Sequence, residues 1–230
     1  MRLSTLLHQR EGTMNLPATV AEVAKVVRKQ EIDFVAVFSS LGNGALMLSD
    51  LVDESIRIVA VTFPAGTTAQ SGEDRVLLGI PSAERRRELA ARNISIVQGT
   101  MPLRGFDEVR GPESVGYIRR TLEMFGGSLS LCVQAVLMAC DAGAIMPGSR
   151  CISMTSDTAA IFRAEHAHRL LAASSKFAVE HIICKPLRYS VTRPAVAMEE
   201  PARPKIAESV DAPRAIEPSV ADREAGGASP

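Results

Sequence analysis

The chain of 230 residues is long enough for one domain with flanking segments or for two small domains. Its apolar content of 46 % and charged content of 23 % are typical of a globular protein that buries a sizeable core. Acidic and basic residues balance at 26 each, and aromatic residues make up only 4 % of the chain. Without a basic excess or an aromatic surface, the composition argues against nucleic-acid binding.

The first part of the chain predicts a strand–helix–strand unit after an irregular lead-in over residues 1–16. A helix is expected to begin near Thr19, whose hydroxyl can cap it. The unbroken apolar run 34–38 predicts a strand that is buried on both faces. A helix over about 44–53 and a second buried strand over 57–63 follow, at the spacing of a right-handed βαβ unit.

The middle of the chain alternates irregular stretches with regular elements. Residues 64–80 are rich in glycine and lack periodicity, so they predict a long loop. A helix over 81–93 and a third strand over 94–98 are expected next. A second irregular stretch, 99–112, leads to a helix over 113–125 that ends at two glycines.

Residues 128–145 are apolar on all sides apart from two polar positions, which predicts a helix buried on most of its surface. One of the two, Asp141, comes near the C-terminal end, where a carboxylate opposes the helix dipole. Two interpretations stay open at this point. Asp141 is either a structural or exposed residue, or it serves a ligand or a metal.

Two further strands are predicted over 150–155 and 158–164, separated only by Ser156 and Asp157. A connection of two residues permits an antiparallel hairpin and is too short for a parallel crossover. The remaining predicted elements are a helix over 166–174 and a strand over 179–184.

The C-terminal part has a different composition, with six of the thirteen prolines and no aromatic residue over 190–230. We expect a disordered tail over 187–230 and a folded domain over 17–186. The four cysteines lie in apolar surroundings without C-x-x-C spacing, which favours reduced, buried thiols and a cytoplasmic location. The longest apolar run is too short for a membrane span.

The polar loop after the first predicted buried strand is the main candidate for a binding site. Hydroxyls and backbone N–H groups beside a helix N-terminus can form a cradle for a phosphate or another small anion. The alternative is that the glycines only form a tight turn. The residues of this cradle are Ser39, Ser40, Gly42, Asn43 and Gly44.

The stretch FVAVFSSLGNGALMLSDLVDESIRIVAVTF, residues 34–63, resembles the C-terminal domain of pyruvate kinase, which has an apolar strand, a hydroxyl-rich turn, a helix and a strand ending in Val-Thr. LCVQAVLMACDAGAI at 131–145, Asp-Thr-Ala at 157–159 and the ending HIICKP at 181–186 look closer to a smaller family. These are stand-alone bacterial and archaeal proteins with the same α/β fold. The resemblance covers about residues 17–186.

The resemblance implies a three-layer α/β/α sandwich with a mixed, mostly parallel sheet and one antiparallel strand. In pyruvate kinase the matching turn binds the phosphate of an allosteric sugar phosphate. The stand-alone family is associated with flavin mononucleotide. The catalytic barrel of pyruvate kinase has no counterpart here, so the resemblance does not imply kinase activity.

Three hypotheses follow for the crevice at the carboxyl ends of the strands, where open α/β sheets bind ligands. The first is a small cytoplasmic protein, with a homo-oligomer as one option, that binds a phosphate-bearing ligand such as flavin mononucleotide or a sugar phosphate. Beyond the cradle, the expected lining residues are Thr62, Gly66, Thr155, Ser156 and Asp157.

The second hypothesis is an enzyme that uses the same crevice. Its candidates for acid–base chemistry are Asp141, Asp157, His166 and His168. The third is a structural member of the family that has lost its ligand, and the short connection over 155–157 favours it.

Overall fold

The computed structural model describes residues 4–71, 74–80, 82–103 and 113–190. The strands in these ranges are β1 (Leu6–His8), β2 (Phe34–Phe38), β3 (Arg57–Thr62), β4 (Thr68–Ser71), β5 (Asp74–Leu77), β6 (Ser95–Gln98), β7 (Arg150–Met154), β8 (Ala159–Arg163) and β9 (Ala178–Pro186). The α-helices are α1 (Leu16–Lys29), α2 (Asn43–Ser49), α3 (Ala83–Ala91), α4 (Glu113–Glu123) and α5 (Leu129–Asp141).

Seven of the strands form one mixed sheet in the order β1-β9-β8-β7-β2-β3-β6. Strands β7, β2, β3 and β6 are parallel to one another, and β1 is parallel to β9. Strand β8 is antiparallel to both of its neighbours. The sheet therefore has a single antiparallel strand in the described part of the chain, as the resemblance implied, and the hairpin predicted at Ser156 and Asp157 is confirmed.

Helices cover both faces of this sheet, which makes the fold a three-layer α/β/α sandwich. Side chains of α1, α2 and α3 pack on one face, called here the first face. Side chains of α4 and α5 pack on the other, the second face. Strand β2 is buried at all five positions because Val35 and Val37 point to the first face and Phe34, Ala36 and Phe38 to the second.

The parallel strands define two edges of the sheet. We call the edge at which β2, β3, β6 and β7 end the carboxyl edge, and the opposite one the amino edge. Strand β7 lies directly beside β2, with Phe34 opposite Cys151, so the strand order reverses between them. The loops after β2 and β7 consequently meet at the carboxyl edge, where doubly wound sheets bind ligands.

The irregular lead-in predicted over 1–16 contains regular structure. Residues Leu6–His8 add an edge strand beside β9, and the Thr5 hydroxyl donates to the Ile182 carbonyl at 2.7 Å. Three residues are too few to show a periodic pattern. The partner strand is also more than 170 positions away in the sequence, so no local signal predicts the pairing. Helix α1 also begins earlier than expected, and Thr19 is a buried residue inside it.

Two other regions differ from the prediction. The loop expected over 64–80 contains the hairpin of β4 and β5, a separate two-stranded sheet. The helix expected over 166–174 is reduced to a 3-10 turn, Ala167–Arg169. The buried Glu165 carboxylate accepts hydrogen bonds from the N–H groups of His166 and Lys176, and these hold the segment in a compact loop.

Several predictions fall wholly or partly outside the described residues, namely the irregular stretch beyond residue 103 and the tail beyond residue 190. Residues 187–190, which the sequence assigned to the tail, still contact the domain. Leu187 N–H donates to the His8 carbonyl at 2.7 Å, and the Tyr189 hydroxyl donates to the Met124 carbonyl at 2.5 Å. Among the described helices, none has the length and apolar character needed to cross a membrane.

Candidate functional site

The turn after β2 bonds to itself through Ser39. The Ser39 Oγ accepts hydrogen bonds from the N–H groups of Leu41 at 3.3 Å and Gly42 at 2.9 Å. Two of the N–H groups expected to face a ligand are thus satisfied within the turn. Helix α2 then begins without a side-chain cap, and the Asn43 side chain is exposed at its first position.

Both glycines of the turn have structural causes. Gly42 has a φ of +80°, and a methyl group there would lie 3.0 Å from Leu89 Cδ1 of α3. A methyl group at Gly44 would lie 3.1 Å from Val37 and 3.3 Å from Leu16. Close packing of three helices near β2 therefore explains both glycines. A large side chain at Gly42 would disturb the fold as well as any ligand site.

An arginine that the sequence did not single out lies at the same edge and on the same face. Arg86 Nη2 donates to Gln98 Oε1 at 2.9 Å, and Gln98 Nε2 donates to the Phe63 carbonyl at 3.0 Å. Arg86 precedes Leu89 by three residues, so both lie on one side of α3, and Leu89 touches Gly42. No described carboxylate forms an ion pair with Arg86.

The turn after β7 is occupied by the protein itself. Asp157 is 3 % exposed, and its carboxylate accepts hydrogen bonds from Gly12 N–H at 2.8 Å and the Thr158 hydroxyl at 2.9 Å. The Ser156 carbonyl accepts from the Thr19 hydroxyl at 3.0 Å, and the buried Thr155 hydroxyl closes the turn through Thr158. The N-terminal segment thus covers this half of the predicted crevice.

The buried His8 belongs to this covered region. Its Nε2 lies 3.0 Å from the Thr19 hydroxyl, which also donates to Ser156. Burial lowers the pKa of His8 below its usual range, and the nearby Asp157 carboxylate opposes that shift. His8 is therefore a neutral structural imidazole that helps to seat α1 against the β7 turn.

Three of the four acid–base candidates lie at the opposite edge of the sheet. Asp141 ends α5 and accepts hydrogen bonds from His166 Nδ1 and Ala167 N–H, both at 3.1 Å. The rings of His166 and His168 stack, with centroids 5.5 Å apart. Because β8 runs antiparallel to β7, the residues that follow β8 lie at the amino edge. The expectation that these residues share the crevice with Asp157 is wrong.

A cavity of about 500 Å³ also lies at the amino edge, where the C-terminal ends of α2 and α3 meet the start of β3. Asp50, Arg92 and Ile58 are among its lining residues, and Asp50 forms an ion pair with Arg92. The cavity does not coincide with the site predicted from the sequence. No group of three or more His, Cys, Asp and Glu side chains in the described ranges is placed to hold a metal ion.

All four cysteines are buried and unpaired in disulfides, which confirms their predicted burial. Burial raises the pKa of Cys140 to about 11 and the pKa of Cys151 to about 12. Thiols with such pKa values are protonated at neutral pH and act as small apolar residues. They contribute no nucleophile to either edge.

The structure thus brings together part of the predicted site. Thr62 ends β3, and Ser39 and Ser40 directly follow the neighbouring strand β2 at the carboxyl edge. Gly66 lies in the loop after β3 with open space around it. Arg86 was missed because the three consecutive arginines 85–87 cannot be told apart without the phase of the helix. The buried Leu89, three positions later, is the signal that could have selected it.

The fold and the site define an α/β/α protein whose polar loops gather at the carboxyl edge of a mixed sheet. No family model matches the chain. The crystal structure of Cryptosporidium parvum pyruvate kinase is similar at 15 % sequence identity with a TM-score of 0.35. The match covers 69 % of this chain and 24 % of that one. A similarity of this size carries no argument about function, and the family assignment stays a prediction.

Proposed function

We propose that this protein binds a phosphate-bearing small molecule at the carboxyl edge, between the turn after β2 and Arg86. The observation that carries the proposal is that Arg86 and the start of α2 lie at the same edge and on the same face of the sheet. Arg86 forms no ion pair with a described carboxylate, and α2 begins without a side-chain cap. An anion there would meet the Ser40 hydroxyl, the Asn43 side chain and the Arg86 guanidinium. Each hydrogen bond to such a charged group contributes on the order of 1.5–3 kcal/mol.

Arg86 would supply the charged partner for the phosphate in this proposal. A planar guanidinium can form two parallel hydrogen bonds to one phosphate. The guanidinium group of Arg86 forms one hydrogen bond among the described residues, to Gln98. The remaining N–H donors of this side chain are what a phosphate would use.

Flavin mononucleotide is one candidate ligand, because its phosphate matches this donor set. Ser40, Asn43 and Arg86 select the phosphate and have no feature that selects the flavin ring. The proposal is therefore made for a phosphate ester in general. A homo-oligomeric state and a cytoplasmic location stay predictions.

The test is calorimetric titration of the full chain with inorganic phosphate, glycerol 3-phosphate and flavin mononucleotide. Arg86→Gln is expected to weaken phosphate binding at least tenfold, since it removes a charge-assisted contact. Arg87→Gln is the matched control, because Arg87 carries the same charge on the next residue of α3 and is exposed. Wild-type protein that binds none of the three at millimolar concentration would show that the cradle is only a turn.

The enzyme hypothesis required the four acid–base candidates to share one crevice. Asp141, His166 and His168 lie at the amino edge, and Asp157 accepts structural hydrogen bonds at the carboxyl edge. If no phosphate compound binds, the titration would favour the third hypothesis, a structural protein that has lost its ligand.

A further inference from the structure

The side chain of Gln98 meets Arg86 because of the register of the sheet. Gln98 is the last residue of β6 and lies opposite Thr62 of β3, so it comes at the carboxyl edge. Ile96, two residues earlier, packs on the first face, and the alternation along a strand directs the Gln98 side chain to the same face. Helix α3 packs on that face, and the Gln98 amide therefore reaches Arg86.

The amide of Gln98 has a fixed orientation. Its Nε2 donates to the Phe63 carbonyl at 3.0 Å, and its Oε1 accepts from Arg86 Nη2 at 2.9 Å. Rotated by half a turn, the amide would place Oε1 against the carbonyl oxygen and its N–H groups against the guanidinium. Both contacts would be repulsive, because a carbonyl only accepts hydrogen bonds and a guanidinium only donates them. The Phe63 carbonyl thus directs the acceptor of Gln98 at Arg86.

Gly79 packs tightly against this amide. A side-chain carbon bonded to Gly79 would lie 3.1 Å from Gln98 Nε2 and 3.6 Å from the Phe63 carbonyl oxygen. The first distance is shorter than an ordinary van der Waals contact, so a side chain at this position would displace the amide. The glycine at position 79 therefore leaves the amide against the Phe63 carbonyl.

The partner of Arg86 is a neutral group, and this distinguishes Arg86 from its neighbour on α3. Arg85 forms an ion pair with Glu88 on the surface of the helix. An amide oxygen accepts a hydrogen bond from Arg86 but carries no net charge that would cancel the charge of the guanidinium. An arginine that is already held in place also has less side-chain freedom to lose when a ligand binds. Gln98 therefore fixes Arg86 and leaves its charge available.

We propose that Gln98 is a positioning residue of the phosphate site, which orients the Arg86 guanidinium towards the start of α2 before an anion binds. The inference rests on the proposed function and adds a residue that acts through Arg86. A merely structural role is the competing explanation, in which the hydrogen bond only ties α3 to β6.

The experiment is calorimetric titration of the full chain with inorganic phosphate at pH 7. Gln98→Met keeps the length of the side chain and removes both hydrogen bonds, and it is expected to weaken binding about three- to tenfold because Arg86 regains its freedom. Gln98→Glu should weaken binding more than Gln98→Met does, since the introduced carboxylate competes with phosphate for Arg86. Glu88→Gln is the control, because it removes the partner of Arg85, and it should leave the affinity unchanged.

A double-mutant cycle separates positioning from a structural role. If Gln98 acts through Arg86, adding Gln98→Met to the Arg86→Gln protein should not weaken phosphate binding any further. Relaxation of the ¹⁵N nucleus at Arg86 Nε gives a second readout that needs no ligand. The Nε–H group should be more rigid in the ligand-free wild type than in Gln98→Met.

The outcomes distinguish this inference from the proposed function. If Arg86→Gln weakens phosphate binding and Gln98→Met does not, the positioning role is refuted and the phosphate site survives. Equal mobility of Arg86 Nε–H in the wild type and in Gln98→Met would also refute positioning, as would independent effects of the two substitutions on affinity. If the wild type binds no phosphate, both proposals are refuted.

Discussion

The buried carboxylate of Asp157 should be a structural anchor, and Asp157→Ala tests this most severely. The substitution removes the acceptor for Gly12 N–H and the Thr158 hydroxyl, at 2.8 and 2.9 Å. Each hydrogen bond to a charged group contributes about 1.5–3 kcal/mol. Since both donors lose a buried partner, we expect the free energy of unfolding to fall by roughly 3–5 kcal/mol.

Urea denaturation at pH 7, followed by circular dichroism, measures this change. Asp53→Ala is the control, because Asp53 is exposed and its carboxylate accepts a hydrogen bond from Ser55 N–H in its own turn. It should change the free energy of unfolding by less than about 1 kcal/mol. If Asp157→Ala costs no more than the control, the carboxylate is not holding the N-terminal segment, and a functional role for it returns.

Three further predictions concern stability and reactivity. Gly42→Ala should destabilise the protein by about 2 kcal/mol and Gly66→Ala by about 1 kcal/mol. Both glycines have a positive φ, but only at Gly42 would the added methyl group meet a neighbouring side chain. Equal urea midpoints for the two variants would contradict this. Cys140 and Cys151 have pKa values of about 11 and about 12, so in the native protein they should react slowly with a thiol reagent at pH 8. Both should react fully after denaturation. Rapid labelling of the native protein would be inconsistent with their burial. Burial lowers the pKa of His8, so the unfolded chain binds the proton more readily and the free energy of unfolding should fall as the pH drops below about 6.5. Urea titrations at pH 7.5 and 5.5 should show a smaller fall for His8→Gln than for the wild type. An equal fall in both proteins would refute this prediction.

The sequence predicted the sheet best where burial is uniform along a strand. Strand β2 is apolar at all five positions, and it is buried throughout as predicted. The two residues Ser156 and Asp157 are too short a connection for a parallel crossover, and the predicted antiparallel pairing of β7 and β8 is confirmed. Strand β1 and the hairpin of β4 and β5 were missed. Their three or four residues pair through backbone groups, and periodicity cannot detect such short segments.

The candidate site was predictable only as a location. Ser39 follows one buried strand and Thr62 ends its neighbour, and this places both at one edge of the sheet. Which side chains remain available is a three-dimensional property. Asp157 is used by a residue 145 positions away, and Arg86 depends on the rotation of its helix. The first property has no local sequence signal, and for the second the only local signal is the apolar Leu89 three positions after Arg86.

The most direct test of the central claim is where phosphate binds. Amide chemical shifts of the ¹⁵N-labelled full chain should be followed during titration with inorganic phosphate. We expect the largest changes at the N–H groups of residues 40–44 and at the Arg86 side chain. Changes concentrated at the amino edge, around Asp50 and Arg92, or no changes at millimolar phosphate would contradict the account.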